Sequence, residues 1–225
     1  MDYPVKNTPN TKQKILETAI DLFSQNGYSA VSVREITKHV GIKESALYNH
    51  FKTKDDILSM IYSIFLTELR QKGLPSMDKL DEILKTLTPE QFLLRGFTNF
   101  KQSVNNPLAT KMWRILNIEQ FRDPRARKIV LEDIYKGTID FLEAAFKIMI
   151  KNGAIKPHDP RLLAFEYQYP LFSVMTEYLL LKFDDRDTAE LDKRVEDHIH
   201  YFISNLNIWR EIQVTSSKGE TNGHD

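Results

Sequence analysis

The sequence predicts an all-α fold with a small N-terminal helical head and a larger helical domain behind it. Three observations carry this. Apolar residues recur at three- and four-residue intervals along almost the whole chain, the alternation of a half-buried strand is missing, and only eight glycines occur in 225 residues. With 41% hydrophobic and 28% charged residues, the chain lies in the globular range and is long enough to bury a sizeable core.

The opening MDYPVKNTPN has no apolar h-region and reads as a flexible arm over residues 1–10. The first helix places Ile15, Leu16, Ala19, Leu22 and Phe23 on one stripe and stops at Asn26-Gly27. Ser32-Val33-Arg34-Glu35 fits a capping box that starts a short second helix, with Val33, Ile36 and Val40 inward until Gly41 breaks it. Leu47 and Phe51, four apart, mark the inner face of a third short helix.

Thr53 followed by Asp55 and Asp56 opens a longer helix, with carboxylates in the first turn to suit the macrodipole and Ile57, Leu58, Ile61, Ile64, Phe65 and Leu69 as its stripe. Downstream, Thr88-Pro89, Asn106-Pro107, Asp123-Pro124 and Asp159-Pro160 each pair a capping side chain with a proline at the first helical position. They predict helices near 89–105, 107–120, 124–151 and 160–183, with others near 77–87 and 188–212. The expected organisation is a head over 11–54, a larger domain over 55–212 entered by a connecting helix at 55–72, and a disordered polar tail over 213–225.

Composition excludes several classes. With no cysteine there is no disulfide framework, thiolate metal site or cysteine nucleophile. No apolar run approaches the roughly 18 residues of a membrane span, so a soluble, cytoplasmic protein without membrane contact is expected. No HExxH, nucleophile elbow or phosphate loop is found, and His198 and His200, two apart, point away from each other. The expectation is therefore no enzyme, no metal and no cofactor, with His198 a satisfied interface residue on the last helix.

The net charge is zero but uneven: residues 1–54 hold eight basic against five acidic side chains. Three short helices closed by a tight turn, with a basic excess, are the geometry of a helix-turn-helix reader whose last helix enters the major groove. With Leu47 and Phe51 inward, Ser45, Ala46, Tyr48 and Asn49 face outward, offering a hydroxyl, a methyl and an amide to base edges. Tyr48 and His50 flank that face, within reach of phosphates.

The segment TKQKILETAIDLFSQNGYSAVSVREITKHVGIKESALYNHFKTKDDIL resembles the DNA-binding domain of the tetracycline-repressor (TetR) family of transcriptional regulators. ILxxAxxLFxxxGY, SxxxIxxxxGI and LYxHFxxKxxI occur in order over about residues 11–60. The resemblance implies that Arg34 reaches a base or phosphate, that Ser32, Tyr48, His50 and Lys54 hold the DNA backbone, and that Ser45, Ala46 and Asn49 read bases. Two positions depart from the family. Lys43 stands where a small hydroxyl residue usually caps the recognition helix, and Glu44 stands where a basic or amide residue is common. Two roles are open to Glu44: favouring the helix dipole, or accepting from a cytosine N4 amine.

For the larger domain, Phe92, Phe97, Phe100, Trp113, Phe121, Phe141, Tyr167, Phe172 and Tyr178 can either line a cavity for an apolar or aromatic molecule or form core. Pro170 interrupts a helix and frees the Glu166 carbonyl, so the candidate ligand site takes Phe100, Trp113, Phe141, Glu166, Tyr167, Pro170 and Tyr178. Residues 162–181 are apolar nearly all round, as in a helix buried on two sides, and the resemblance implies a homodimer through the last two helices. The reading is a repressor released from a palindromic operator of double-stranded DNA by an unknown small molecule. Two alternatives stay open: a ligand-independent or activating regulator whose larger domain binds a protein partner, and an enzyme fused to a DNA reader.

Overall fold

The structure is a computed structural model that describes residues 10–72 and 77–218. Helices make up the described residues: α1 (Thr11–Asn26), α2 (Val33–Val40), α3 (Glu44–Tyr48), α4 (Lys54–Lys72), α5 (Met77–Thr86), α6 (Pro89–Val104), α7 (Pro107–Glu119), α8 (Pro124–Lys128), α9 (Gly137–Lys151), α10 (Pro160–Phe183) and α11 (Ala189–Lys218), with a π-helical stretch at Ile129–Lys136. No strand is found among them.

The punctuation is local chemistry. Asn106 accepts from the amides of Leu108 and Ala109, Asp123 from Arg125, and Asp159 from Arg161 and Leu162, each ahead of a proline that has no N–H to satisfy. Thr88 and Gln91 cap each other reciprocally at 3.2 and 3.0 Å, as do Thr53 and Asp56 at 3.1 and 2.9 Å.

Two compact units result. The first joins residues 10–71 to 103–131. Its core is Ile15, Ala19, Ile20 and Phe23 of α1, Ile36, Leu47 and Phe51, and Ile57, Leu58, Ile61 and Phe65 of α4, closed by Met112, Ile115 and Leu116 of α7. Each such side chain contributes about 1.5–3 kcal/mol of transfer free energy. α7 lies along α1, pinned by a Lys111–Asp21 ion pair at 2.6 Å. The compact unit around the three short helices therefore extends beyond residue 54, through α4 and α7–α8.

The second unit comprises residues 72, 77–102 and 132–218, with α9 paired to α10, α5 on α9 and α11 on α10. Its rings pack in clusters: Phe97, Phe100 and Tyr178; Phe92 on Phe141; and Tyr167 with Phe146, His198 and Phe202. One face of α10 is left uncovered at Leu162, Tyr169 and Leu180, and Tyr201 of α11 is exposed as well.

Two expectations need correction. The helix expected over 124–151 is interrupted by the π stretch, which ends at Lys136, just before α9 begins. α11 also continues past residue 212 to Lys218, into the stretch expected to be disordered, while the rest of that tail, 219–225, lies outside the described residues. So do residues 1–9 of the expected arm.

Candidate nucleic-acid interface

α2 starts where the Ser32 hydroxyl accepts the Glu35 amide at 3.1 Å. It ends at Gly41, whose left-handed conformation (φ 78°, ψ 33°) lets the Gly41 and Ile42 amides both reach the Thr37 carbonyl at 3.0 Å. This turn sets α3 against α2. Leu47 is fully buried and Phe51 nearly so, while the Phe51 amide returns to the Leu47 carbonyl at 3.0 Å. α3 is thus a five-residue helix with a further turn that brings Phe51 inward.

The opposite face is open. Lys43, Glu44, Ser45, Tyr48, Asn49 and His50 are exposed and Ala46 is half-buried. Lys43 makes no side-chain cap bond, leaving its ammonium for solvent or an anion, and Glu44 lies in the first turn where the dipole favours it. Between α2 and α3 runs an open groove lined by Arg34, Thr37, Lys38, Ile42, Lys43, Glu44 and Ser45. Lys38 is a basic group that was not expected at the interface, although its place one turn on from Arg34 is a usable signal.

Ser32 and Arg34 are exposed at the start of α2. Lys54 is different: its Nζ donates to the carbonyls of Tyr28 at 2.9 Å and Val31 at 2.7 Å and lies 4.1 Å from the Tyr28 ring centroid. Burial draws this ammonium below the ordinary lysine value, against the opposing pull of Glu119. Lys54 therefore fastens the α1–α2 turn to the start of α4.

Two further groups, unseen from sequence, complete that fastening. The Glu119 carboxylate, 3% exposed, accepts the Tyr28 amide at 2.9 Å. Arg125 forks onto Asp55 with two bonds of 2.7 Å, donates to Ser59 at 2.7 Å and closes on Asp123 at 2.7 Å. Burial would raise the Asp123 pKa, but the bonds from Arg125 outweigh it and hold this carboxyl below its ordinary value.

The candidate ligand residues do not come together. Phe100 is half-buried, and Phe141, Tyr167 and Tyr178 are buried in the ring clusters of the second unit, with the Tyr167 hydroxyl donating to the Leu93 carbonyl at 3.1 Å. Trp113 belongs to the first unit, edge-on to Phe65 at 4.9 Å. Glu166 and Pro170 are exposed. A carbonyl freed on an exposed helix face is served by solvent, so the proline there does not imply a buried partner. Phe121, another candidate for a cavity, is 83% exposed. His198 is half-buried with its Nε2 3.1 Å from the Tyr167 carbonyl, which fits a satisfied residue.

A buried-backed short helix presenting small, polar and aromatic side chains after a glycine turn defines a helix-turn-helix DNA-binding regulator. The sequence model described as "Bacterial regulatory proteins, tetR family" matches residues 15–61, the segment that holds most of α1, all of α2 and α3 and the start of α4. The chain is 26% identical over 188 residues to the HTH-type transcriptional regulator YhgD of Bacillus subtilis, covering 81% of this chain and 88% of that protein. Over 54 residues it is 46% identical to the HTH-type transcriptional regulator AcrR of Shigella flexneri, which is 24% of this chain and 25% of that one. Its fold is similar to that of AibR in complex with isovaleryl coenzyme A and operator DNA, with a TM-score of 0.56 at 22% identity over 84% of this chain and 95% of that one. No helix among the described residues is long and apolar enough to cross a membrane.

Proposed function

We propose that this regulator acts as a homodimeric repressor that occupies a palindromic operator until a small molecule binds its larger helical domain. The observation that carries the reading is the open face of α3, Ser45, Ala46, Tyr48, Asn49 and His50, held rigid by Leu47 and Phe51 behind it. Ser45, Ala46 and Asn49 read base edges. Ser32, Arg34, Lys43, Tyr48, His50 and Lys54 hold the backbone, and Glu44 accepts from a cytosine amine where one is presented.

The uncovered apolar face of α10, with Leu162, Tyr169 and Leu180, supports a dimer built from α10 and α11. The effector is apolar or aromatic and enters among the rings that include Phe100, Phe141, Tyr167 and Tyr178. That AibR was captured with both an acyl coenzyme A and operator DNA supports a ligand-switched reading of the shared fold. The effector must bind the DNA-incompetent state better, by a margin equal to the affinity lost for DNA.

The test is selection of the purified protein against a random duplex library at fixed, near-physiological salt. Enrichment of an inverted repeat is expected. A well-folded protein that enriches no sequence would overturn the reading. Sedimentation of Leu162→Lys/Leu180→Lys checks the dimer: the variant is expected to be monomeric, and an unchanged dimer would move the interface elsewhere.

A further inference from the structure

The turn joining α7 to α8 carries charge and apolar surface that the fold does not use. Phe121 is 83% exposed, and Arg122, Arg125, Arg127 and Lys128 follow it within the same short stretch. Arg125 is committed to Asp55 and Asp123. The other three cations are not compensated: Arg122 and Lys128 are exposed with no ion pair among the described residues, and the Arg127 guanidinium meets only the carbonyl oxygens of Gln120 and Phe121, at 3.2 and 3.5 Å. Folding back over the turn, Arg127 keeps its charge there. Like charges crowded on one turn repel and stabilise nothing by themselves.

The same turn is anchored to two particular places. Glu119, just before it, holds the Tyr28 amide in the α1–α2 turn, and Arg125, just after it, holds Asp55 and Ser59 in the first turns of α4. Lys54 ties those two places to each other. They lead into the amino ends of α2 and α4, to which the DNA-binding reading gives backbone contacts.

We infer that the α7–α8 turn, residues 120–128, is a second DNA contact outside the helix-turn-helix. Arg122, Arg127 and Lys128 lie against the phosphate backbone flanking each half-site, and Phe121 covers a deoxyribose face. The inference rests on the DNA-binding reading of α3. Charge chooses the occupant: duplex DNA presents one negative charge per roughly 1.7 Å of axis, and three exposed cations without an acidic partner are complementary to it. An acidic protein surface is the competing occupant.

The experiment compares the full-length protein with Arg122→Ala/Lys128→Ala, two side chains that bond to nothing else among the described residues, and with the triple variant that adds Arg127→Ala. The probes are the selected inverted-repeat duplex with about one helical turn, roughly ten base pairs, of flanking sequence on each side, and the same duplex trimmed to its half-sites. On the long duplex the slope of log K against log salt becomes shallower by about 0.9 for each phosphate no longer neutralised. On the trimmed duplex the proteins converge. Phe121→Ala lowers affinity for the long duplex without changing the slope.

Equal slopes for wild type and the folded double variant on the long duplex overturn the inference and leave α3 untouched; an acidic protein partner then becomes the better occupant. A wild-type protein that binds no duplex overturns both readings at once. Circular dichroism of each variant separates weakened DNA binding from a disrupted fold.

Discussion

The buried carboxylate of Glu119 accepts the backbone N–H of Tyr28 at 2.9 Å, across 91 residues of sequence. An amide in the turn that sets α2 is thereby satisfied by a side chain at the end of α7. The orientation of the α1–α2 turn depends on it.

Glu119→Ala leaves that amide without its partner. It is expected to cost about 1–3 kcal/mol in a urea titration. Glu119→Gln keeps an acceptor and is expected to lose much less. Equal losses for the two variants would show that the carboxylate charge, rather than the accepted bond, is what matters. Gly27 sits beside the same group with φ 78°, and a Cβ there would lie 3.5 Å from the Glu119 oxygen. Gly27→Ala is expected to destabilise by about 1 kcal/mol or more through the backbone conformation.

Asp123 gives the pH dependence a definite sign. Its folded pKa lies below the ordinary 3.8, chiefly because the Arg125 bonds outweigh burial. The stabilisation is therefore complete above that ordinary value and is lost as pH falls through the lower folded one. Asp123→Asn, which keeps a capping oxygen, is expected to be less stable than wild type near neutrality, the gap closing in acid. Urea midpoints from about pH 6 to pH 2 measure this. A gap independent of pH would remove Asp123 from the linkage.

Lys54 does two jobs that one substitution separates. Lys54→Ala removes two bonds to carbonyls and is expected to cost about 1–3 kcal/mol of stability. As a phosphate contact it also flattens the salt slope of DNA binding by about 0.9 when removed. A stability loss with an unchanged slope would assign Lys54 to the turn alone.

Tyr48 and Asn49 differ in kind. Tyr48, 49% exposed, holds backbone, so Tyr48→Ala is expected to weaken all sequences alike. Asn49 reads a base edge, so Asn49→Ala is expected to cost about 1–3 kcal/mol on the selected site and little on unrelated DNA. Binding curves on both duplexes decide it.

Much of the fold is legible because it is written locally. Asn106, Asp123 and Asp159 announce their helices through a cap and a proline, Gly41 through its left-handed turn, and Leu47 and Phe51 through a four-residue spacing. The open face of α3 follows from that spacing alone. Glu119 and Arg125 are illegible for the opposite reason: their partners Tyr28 and Asp55 lie 91 and 70 residues away, and a single polar pair has no period. Glu166 misled because Pro170 signals a freed carbonyl but not which face of α10 it lies on. The π stretch at Ile129–Lys136 changes the hydrogen bonding, and no residue in it announces that change.

The most direct measurement is duplex-library selection run in parallel on wild type and Asn49→Ala at one salt concentration. The expected result is an inverted repeat for wild type, its halves about one helical turn apart, roughly 10 base pairs, or a multiple of that, and for the variant the same repeat blurred at one or two positions in each half. Identical motifs from both proteins would contradict base reading by α3.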